Sequence, residues 1–178
     1  MFSTLQTGLK RLGTDASGQE MLEAAIVFPV FFLIVLGIFW FGRAYNIYAT
    51  VTHAAAEGAR IASSPTCATC ANSYPSDLTV VSTVSSILRA SRLDPNQIAP
   101  YIPTPLPVFC PGLAPPSGAC TAIVNNVTIC RGVELNNATS TPQVCGTMVS
   151  FQYHYQFVLP FTSLLINLPA SAQARVED

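Results

Sequence analysis

The residues in this chain that are capable of chemistry are six cysteines, two histidines and a glutamate at the mouth of an apolar run. Cys67 and Cys70 enclose two residues, the spacing of a redox dithiol or of half a zinc site. The remaining cysteines, Cys110, Cys120, Cys130 and Cys145, lie far downstream and no His-x-x-x-His accompanies them. A structural disulfide is therefore the favoured reading of the pair, and neither a metal site nor a cofactor is expected. His53 sits in an alanine-rich stretch and His154 on the polar side of an alternating one, far apart in sequence. No glycine-rich phosphate loop or Gly-x-Ser-x-Gly elbow occurs, so no catalytic residues are expected and the chain does not read as an enzyme. Glu23, at the start of a predicted helix, is placed where the macrodipole favours negative charge.

The element that positions Glu23 is unusual. Residues 24–42 carry no charged side chain, and as a helix they would cover about 28 Å, close to the thickness of a bilayer's hydrocarbon layer. They read as a membrane-spanning segment. The run is longer than the apolar core of a secretory signal, and Arg43, Tyr45, Asn46 and Tyr48 follow it with no small-x-small cleavage site. Half of the chain is hydrophobic and only 10% is charged, against about 25% in ordinary soluble domains. The net charge of -1 leaves no electrostatic footprint for nucleic acid.

Orientation follows from charge and from sulfur. Lys10, the sole lysine, and Arg11 precede the apolar run, which fits a cytoplasmic N-terminus. All six cysteines follow it, which suggests disulfides on the oxidising side. Six cysteines allow many pairings, and the sequence leaves their connectivity open.

Past the membrane the helix is expected to continue. Residues 45–64 contain no proline and are rich in alanine, so one helix over 19–63 is predicted, stopped near Pro65. Pro29 removes the donor for the Ala25 carbonyl and should kink or locally open that helix. Ala54, Gly58 and Ala62 recur every four residues and form a ridge of small side chains. Such a ridge admits a second backbone, from another helix or from the protein's own head.

The arrangement of Gly18, Gln19 and Glu23 behind a short polar leader resembles the processing site of type IV prepilins. The resemblance implies that a membrane peptidase cuts after Gly18, making Gln19 the new N-terminus and Glu23 the fifth residue. Glu23 would then neutralise the α-ammonium of a neighbouring subunit and set the register of assembly. Unpaired charge within lipid costs about 2.5 to 3.5 kcal/mol at the bilayer centre, so pairing would favour the bundle. A narrower resemblance comes from Glu23-Ala-Ala-Ile-Val-Phe-Pro29, Gly37-Ile-Phe-Trp-Phe-Gly-Arg43 and Ala54-Ala-Ala-Glu-Gly-Ala-Arg60. Over residues 18–64 the chain resembles the N-terminal signature of TadE-like proteins, pseudopilins of the tight-adherence (Flp) pilus. Ala24 stands where that family often has an aromatic residue. The long C-terminal region also separates the chain from the very short major Flp pilins.

The resemblance implies a leader over 1–18, a long helix over 19–64 with its transmembrane part at 24–42, and an extracytoplasmic head over 65–178. It implies a single-pass protein of the bacterial inner membrane, with a prepilin peptidase, other pilin subunits, the assembly machinery and the lipid bilayer as partners. An anchored periplasmic binding or redox module is the alternative from another class, and an uncleaved accessory protein of the same machinery is a third.

Within the head, residues 65–75 read as a loop pinned by Cys67 and Cys70. Residues 76–92 read as a second helix, with Leu78, Val81, Val84, Ile87 and Leu88 on its apolar side. Residues 95–116 hold more than half of the chain's 14 prolines and read as an irregular loop. Strands are expected over 121–130 and 147–158. The second alternates Val149, Phe151, Tyr153, Tyr155 and Phe157 against Ser150, Gln152, His154 and Gln156, one face buried and one wet. A short apolar helix over 160–168 and a last strand over 170–177 complete the expectation. The fold class is α+β, a small antiparallel sheet packed on the outer half of the long helix.

Overall fold

A computed structural model describes residues 16–65, 73–111, 120, 122–136, 143–158 and 162–176. The chain divides into two compact units, Met1–Asn46 and Ile47–Asp178. Its fold is α+β, and the longest element is helix α1, Ala16–Ser63, which passes through Pro29 without interruption. Helix α2, Asp77–Ala90, follows, then a 3-10 turn at Pro95–Gln97 and, among the described residues, five strands. These are β1 (Ile98–Ala99), β2 (Ala122–Val124), β3 (Val127–Glu134), β4 (Cys145–Val158) and β5 (Ser163–Arg175).

The termini of α2 show why it begins and ends where it does. Ser76 caps the start, its hydroxyl accepting from the Thr79 N–H at 3.3 Å, which satisfies one of the donors that a helix leaves unpaired. At the other end the Leu93 N–H reaches back to the Leu88 carbonyl at 2.8 Å, with Arg92 at φ 60°. That is a Schellman closure with arginine in the left-handed position that glycine usually takes. The buried side of α2 is Val80, Val81, Val84 and Leu88. Leu78, expected on that side, is 65% exposed, because its position in the first turn points away from the sheet while Val80 takes the inward one.

The sheet is antiparallel throughout and is built on β4. β5 pairs along one edge of β4 from Gly146↔Arg175 to Val158↔Ser163. On the other edge β3 pairs with residues 145–150 and β1 with Gln152 and Tyr153. β2 lies outside β3, joined by a turn at Asn125 and Asn126, whose φ values are 46° and 65°. The single strand expected over 121–130 is thus a hairpin: both asparagines adopt the left-handed conformation that a tight two-residue turn requires. Beyond β2 the outer edge of β3 is taken up by residues 108–110, with Phe109 bridging Val133. Gly132, at φ 73°, supplies the bulge where the register of β3 shifts.

The last element corrects the sequence reading. In place of a short helix over 160–168 and a strand from 170, β5 is one strand through Pro169. The apolar run 164–168 lacks alternation and so resembles a helix in sequence, but pairing with β4 holds it extended. Pro169 can sit there because β5 is an edge strand, where a missing N–H leaves no ladder bond unmade.

Two clusters form the interior of the head. On one sheet face Ile47, Val51, Ala54, Ala55, Ala59 and Ala62 of α1 and the buried side of α2 pack against Val127, Ile129, Val149, Phe151, Tyr153 and Ala170. On the other, Cys130, Val133 and Met148 are covered by Phe109 and Cys120. The face of β4 expected to be wet is therefore wet only in part. Ser150 is fully buried, its hydroxyl donating to the Tyr101 carbonyl at 2.8 Å, and only Gln156 is exposed.

Candidate functional site on the long helix

The candidate site occupies α1. Its N-terminal part exposes side chains that water does not solvate well: Ile26, Phe31, Leu33, Ile38 and Phe41 are between 56% and 79% exposed. Contiguous apolar surface of this extent marks a membrane or protein contact. The most apolar window of α1 has a mean hydropathy of 2.7, and none of it is buried within the chain. The helix is long and apolar enough to cross a bilayer and fits a single-pass anchor.

Gly18 and Gln19 fall in the first turns of α1. Glu23 is exposed and borders a shallow depression with Ala24, Val27 and Phe28. A carboxylate there lies just before the lipid-compatible stretch, where an opposite charge from another chain could reach it. Pro29 is exposed on the same part of the helix.

The ridge of small residues has a different environment. Ala54, Gly58 and Ala62 are all buried. A Cβ on Gly58 would come within 2.8 Å of Val84 Cγ2 and 3.4 Å of Val149 Cγ1. The four-residue spacing stacks the three on one helix face, and that face is covered by α2 and β4. Ile47, Val51, Ala55 and Ala59 belong to the same contact. Sequence reasoning passed over them, although Ile47, Val51, Ala55 and Ala59 also recur every four residues.

Four cysteines form two bonds, Cys110–Cys145 and Cys120–Cys130, with Cα separations of 6.2 and 4.5 Å. The first ties the segment beside β3 to the start of β4. The second ties Cys120 to the middle of β3. Cys67 and Cys70 lie outside the described residues. His53 is exposed on α1, and His154 Nδ1 meets Asn167 Oδ1 of β5 at 2.6 Å. Among the described residues no three His, Cys, Asp or Glu side chains gather as metal ligands would. Asn126-Val-Thr128 and Asn137-Ala-Thr139 match the glycosylation sequon: Asn126 is the turn residue, its amide donating to the Ile98 carbonyl at 2.9 Å, and Asn137 lies outside the described residues.

A long apolar helix leading into a small antiparallel sheet defines the class: an α+β protein with a membrane-length N-terminal helix. Residues 18–60 match the family model described as TadE-like protein. Over that window, which opens at Gly18 and closes at Arg60, the chain is similar to TadE-like proteins. Neither a curated protein nor a solved structure matches the chain.

Proposed function

We propose that this chain is a TadE-like minor pilin or pseudopilin of a tight-adherence type IV pilus or secretion pseudopilus. It is held in the bacterial inner membrane by residues 24–42, with its N-terminus cytoplasmic and its head outside. A prepilin peptidase cuts after Gly18, and the α-ammonium freed on Gln19 pairs with Glu23 of a neighbouring subunit as helices bundle. The match beginning at Gly18 carries this reading; the exposure of Glu23 beside an uncovered apolar helix supports it. An unpaired carboxylate in that setting is costly, so the pair selects one register. The subunit is a substrate of the peptidase and does no chemistry itself.

N-terminal sequencing of the protein from pilus-proficient cells tests this. The mature chain begins at Gln19, and Gly18→Leu leaves the precursor uncut; a wild-type chain that begins at Met1 overturns the processing. Glu23→Ala is cut normally but assembles poorly, and undiminished piliation with that variant removes the pairing role.

A further inference from the structure

The end of the β4–β5 hairpin projects past the rest of the sheet. β1 pairs with β4 only at Gln152 and Tyr153, so residues 154–158 have β5 as their one strand partner among the described residues. This two-stranded ribbon extends about 17 Å beyond Tyr153 at 3.3 Å per residue. Leu164 and Leu165 near its end are 56% and 64% exposed and, being consecutive in a strand, point to opposite faces. Tyr155 and Phe157 lie opposite Ile166 and Leu164, with ring centroids 6.3 Å apart. No Asp, Glu, Lys or Arg occurs between Gly146 and Arg175.

Contacts inside the head show which end this ribbon occupies. Near the start of α2, Arg131 bonds Asp77 at 2.5 Å and the Pro75 carbonyl at 2.9 Å, and Arg131 pairs with Thr147 of β4. Just past the other end of α2, the Asp94 N–H donates to the Tyr153 hydroxyl at 3.1 Å. Helix α2 thus runs beside β4 in the same direction. The outer part of α1 runs against it: Gly58 meets Val80 and Val84, while Arg60, Ile61 and Ser64 border Ser76 and Thr79. Ile47, about 16 Å back along the helix from Gly58, is therefore at the end of the head where α2 stops. The chain enters the head at the end from which the ribbon projects.

We propose that the β4–β5 ribbon rests in the interfacial layer of the bilayer that its own anchor spans, with Leu164 and Leu165 inserted among the lipids. The inference rests on residues 24–42 crossing that bilayer. Ile47 is five residues beyond Gly42, so it cannot lie more than about 18 Å from it even with the chain fully extended. In the helical conformation that α1 has there, those five residues rise only about 7.5 Å, so the head begins close to the end of the apolar run. Its composition suits a lipid surface: the aromatic rings of Tyr155 and Phe157, aliphatic side chains on both faces and no Asp, Glu, Lys or Arg to desolvate. Its depth is limited by the unpaired backbone groups on the ribbon's edges, which cannot enter hydrocarbon unsatisfied.

The full chain in nanodiscs with bromine-labelled acyl chains tests this. Trp40, the sole tryptophan, reports the anchor, and its quenching in the wild type establishes that the helix is in lipid. In a Trp40→Phe background, Leu165→Trp and, separately, Leu164→Trp are expected to lose emission as Trp40 does. Ser171→Trp, exposed in β5 beside the body of the sheet, stays unquenched. If both tip tryptophans are as bright as Ser171→Trp while wild-type Trp40 is quenched, the ribbon is not in lipid, and the proposal falls with the anchor intact. If wild-type Trp40 is itself unquenched, the anchor fails and the proposal with it.

Discussion

Gly58 shows how one side chain's absence sets the geometry around it. With hydrogen in place of a methyl, α1 approaches Val84 and Val149 more closely than any larger residue permits. Gly58→Leu should destabilise the head by about 1–3 kcal/mol through overpacking. Val84→Ala in the same chain should reduce that cost, and a double-mutant cycle by chemical denaturation in detergent should show coupling of about 0.5 kcal/mol or more. Strictly additive effects would mean that the glycine is not wedged there. Tyr153 acts through its proton. Burial pushes its hydroxyl above the ordinary tyrosine value, although the hydrogen bond from the Asp94 N–H pulls the other way. The folded state thus holds this proton more tightly than the unfolded chain. The contribution to stability is intact below about pH 10 and is lost as pH rises through the folded value. The denaturation midpoint should fall more steeply above that pH in the wild type than in Tyr153→Phe, and equal slopes would contradict the assignment.

Among the elements, the sheet depends on one long hairpin and on two cross-links that hold its less regular surroundings. β4 and β5 pair over the full length of β5, whereas β1, β2 and residues 108–110 make short contacts. Cys110–Cys145 closes a separation of 35 residues and Cys120–Cys130 one of 10. Loop-closure entropy gives the first about 4 kcal/mol and the second about 3 kcal/mol in the unrestricted chain. Replacing Cys110 and Cys145 by serine should therefore lower stability more than replacing Cys120 and Cys130, by about 1 kcal/mol on that entropic account, as thermal unfolding in detergent would show. The reverse order would place the stabilisation in native contacts. The element boundaries that sequence missed share a cause. Asn125-Asn126 breaks a β-rich run with two positive-φ residues, and Pro169 interrupts a strand without ending it, since among the described residues β5 pairs with β4 alone.

For the molecule as a whole, the two units answer to different solvents. The first presents aliphatic and aromatic side chains around its helix, which is stable in lipid or among other helices and not in water. The second buries its apolar residues in two clusters of its own. The processing prediction belongs to this scale: removing residues 1–18 places a new positive charge four residues before Glu23, and only then does the helix acquire the ion pair proposed to direct assembly. Cut and uncut forms should differ in assembly while their heads melt at the same temperature. A change in head stability on cutting would tie the two units together thermodynamically.

By itself the sequence determined the long helix with its membrane-length apolar run and the α+β class, and it placed Glu23 at the entrance to that run. Each of these is written in local composition: an uncharged run matched to a bilayer, alanine-rich continuation, helical and alternating periodicities, and Glu23 at a fixed distance from Gly18. The tertiary structure decided what those patterns meet. It paired Cys110 with Cys145 and Cys120 with Cys130, closed the Ala54, Gly58 and Ala62 ridge beneath the head, buried Ser150 and drew 163–175 into a single strand. These outcomes depend on partners distant in sequence, where a residue's environment is set by what packs against it and not by its neighbours along the chain.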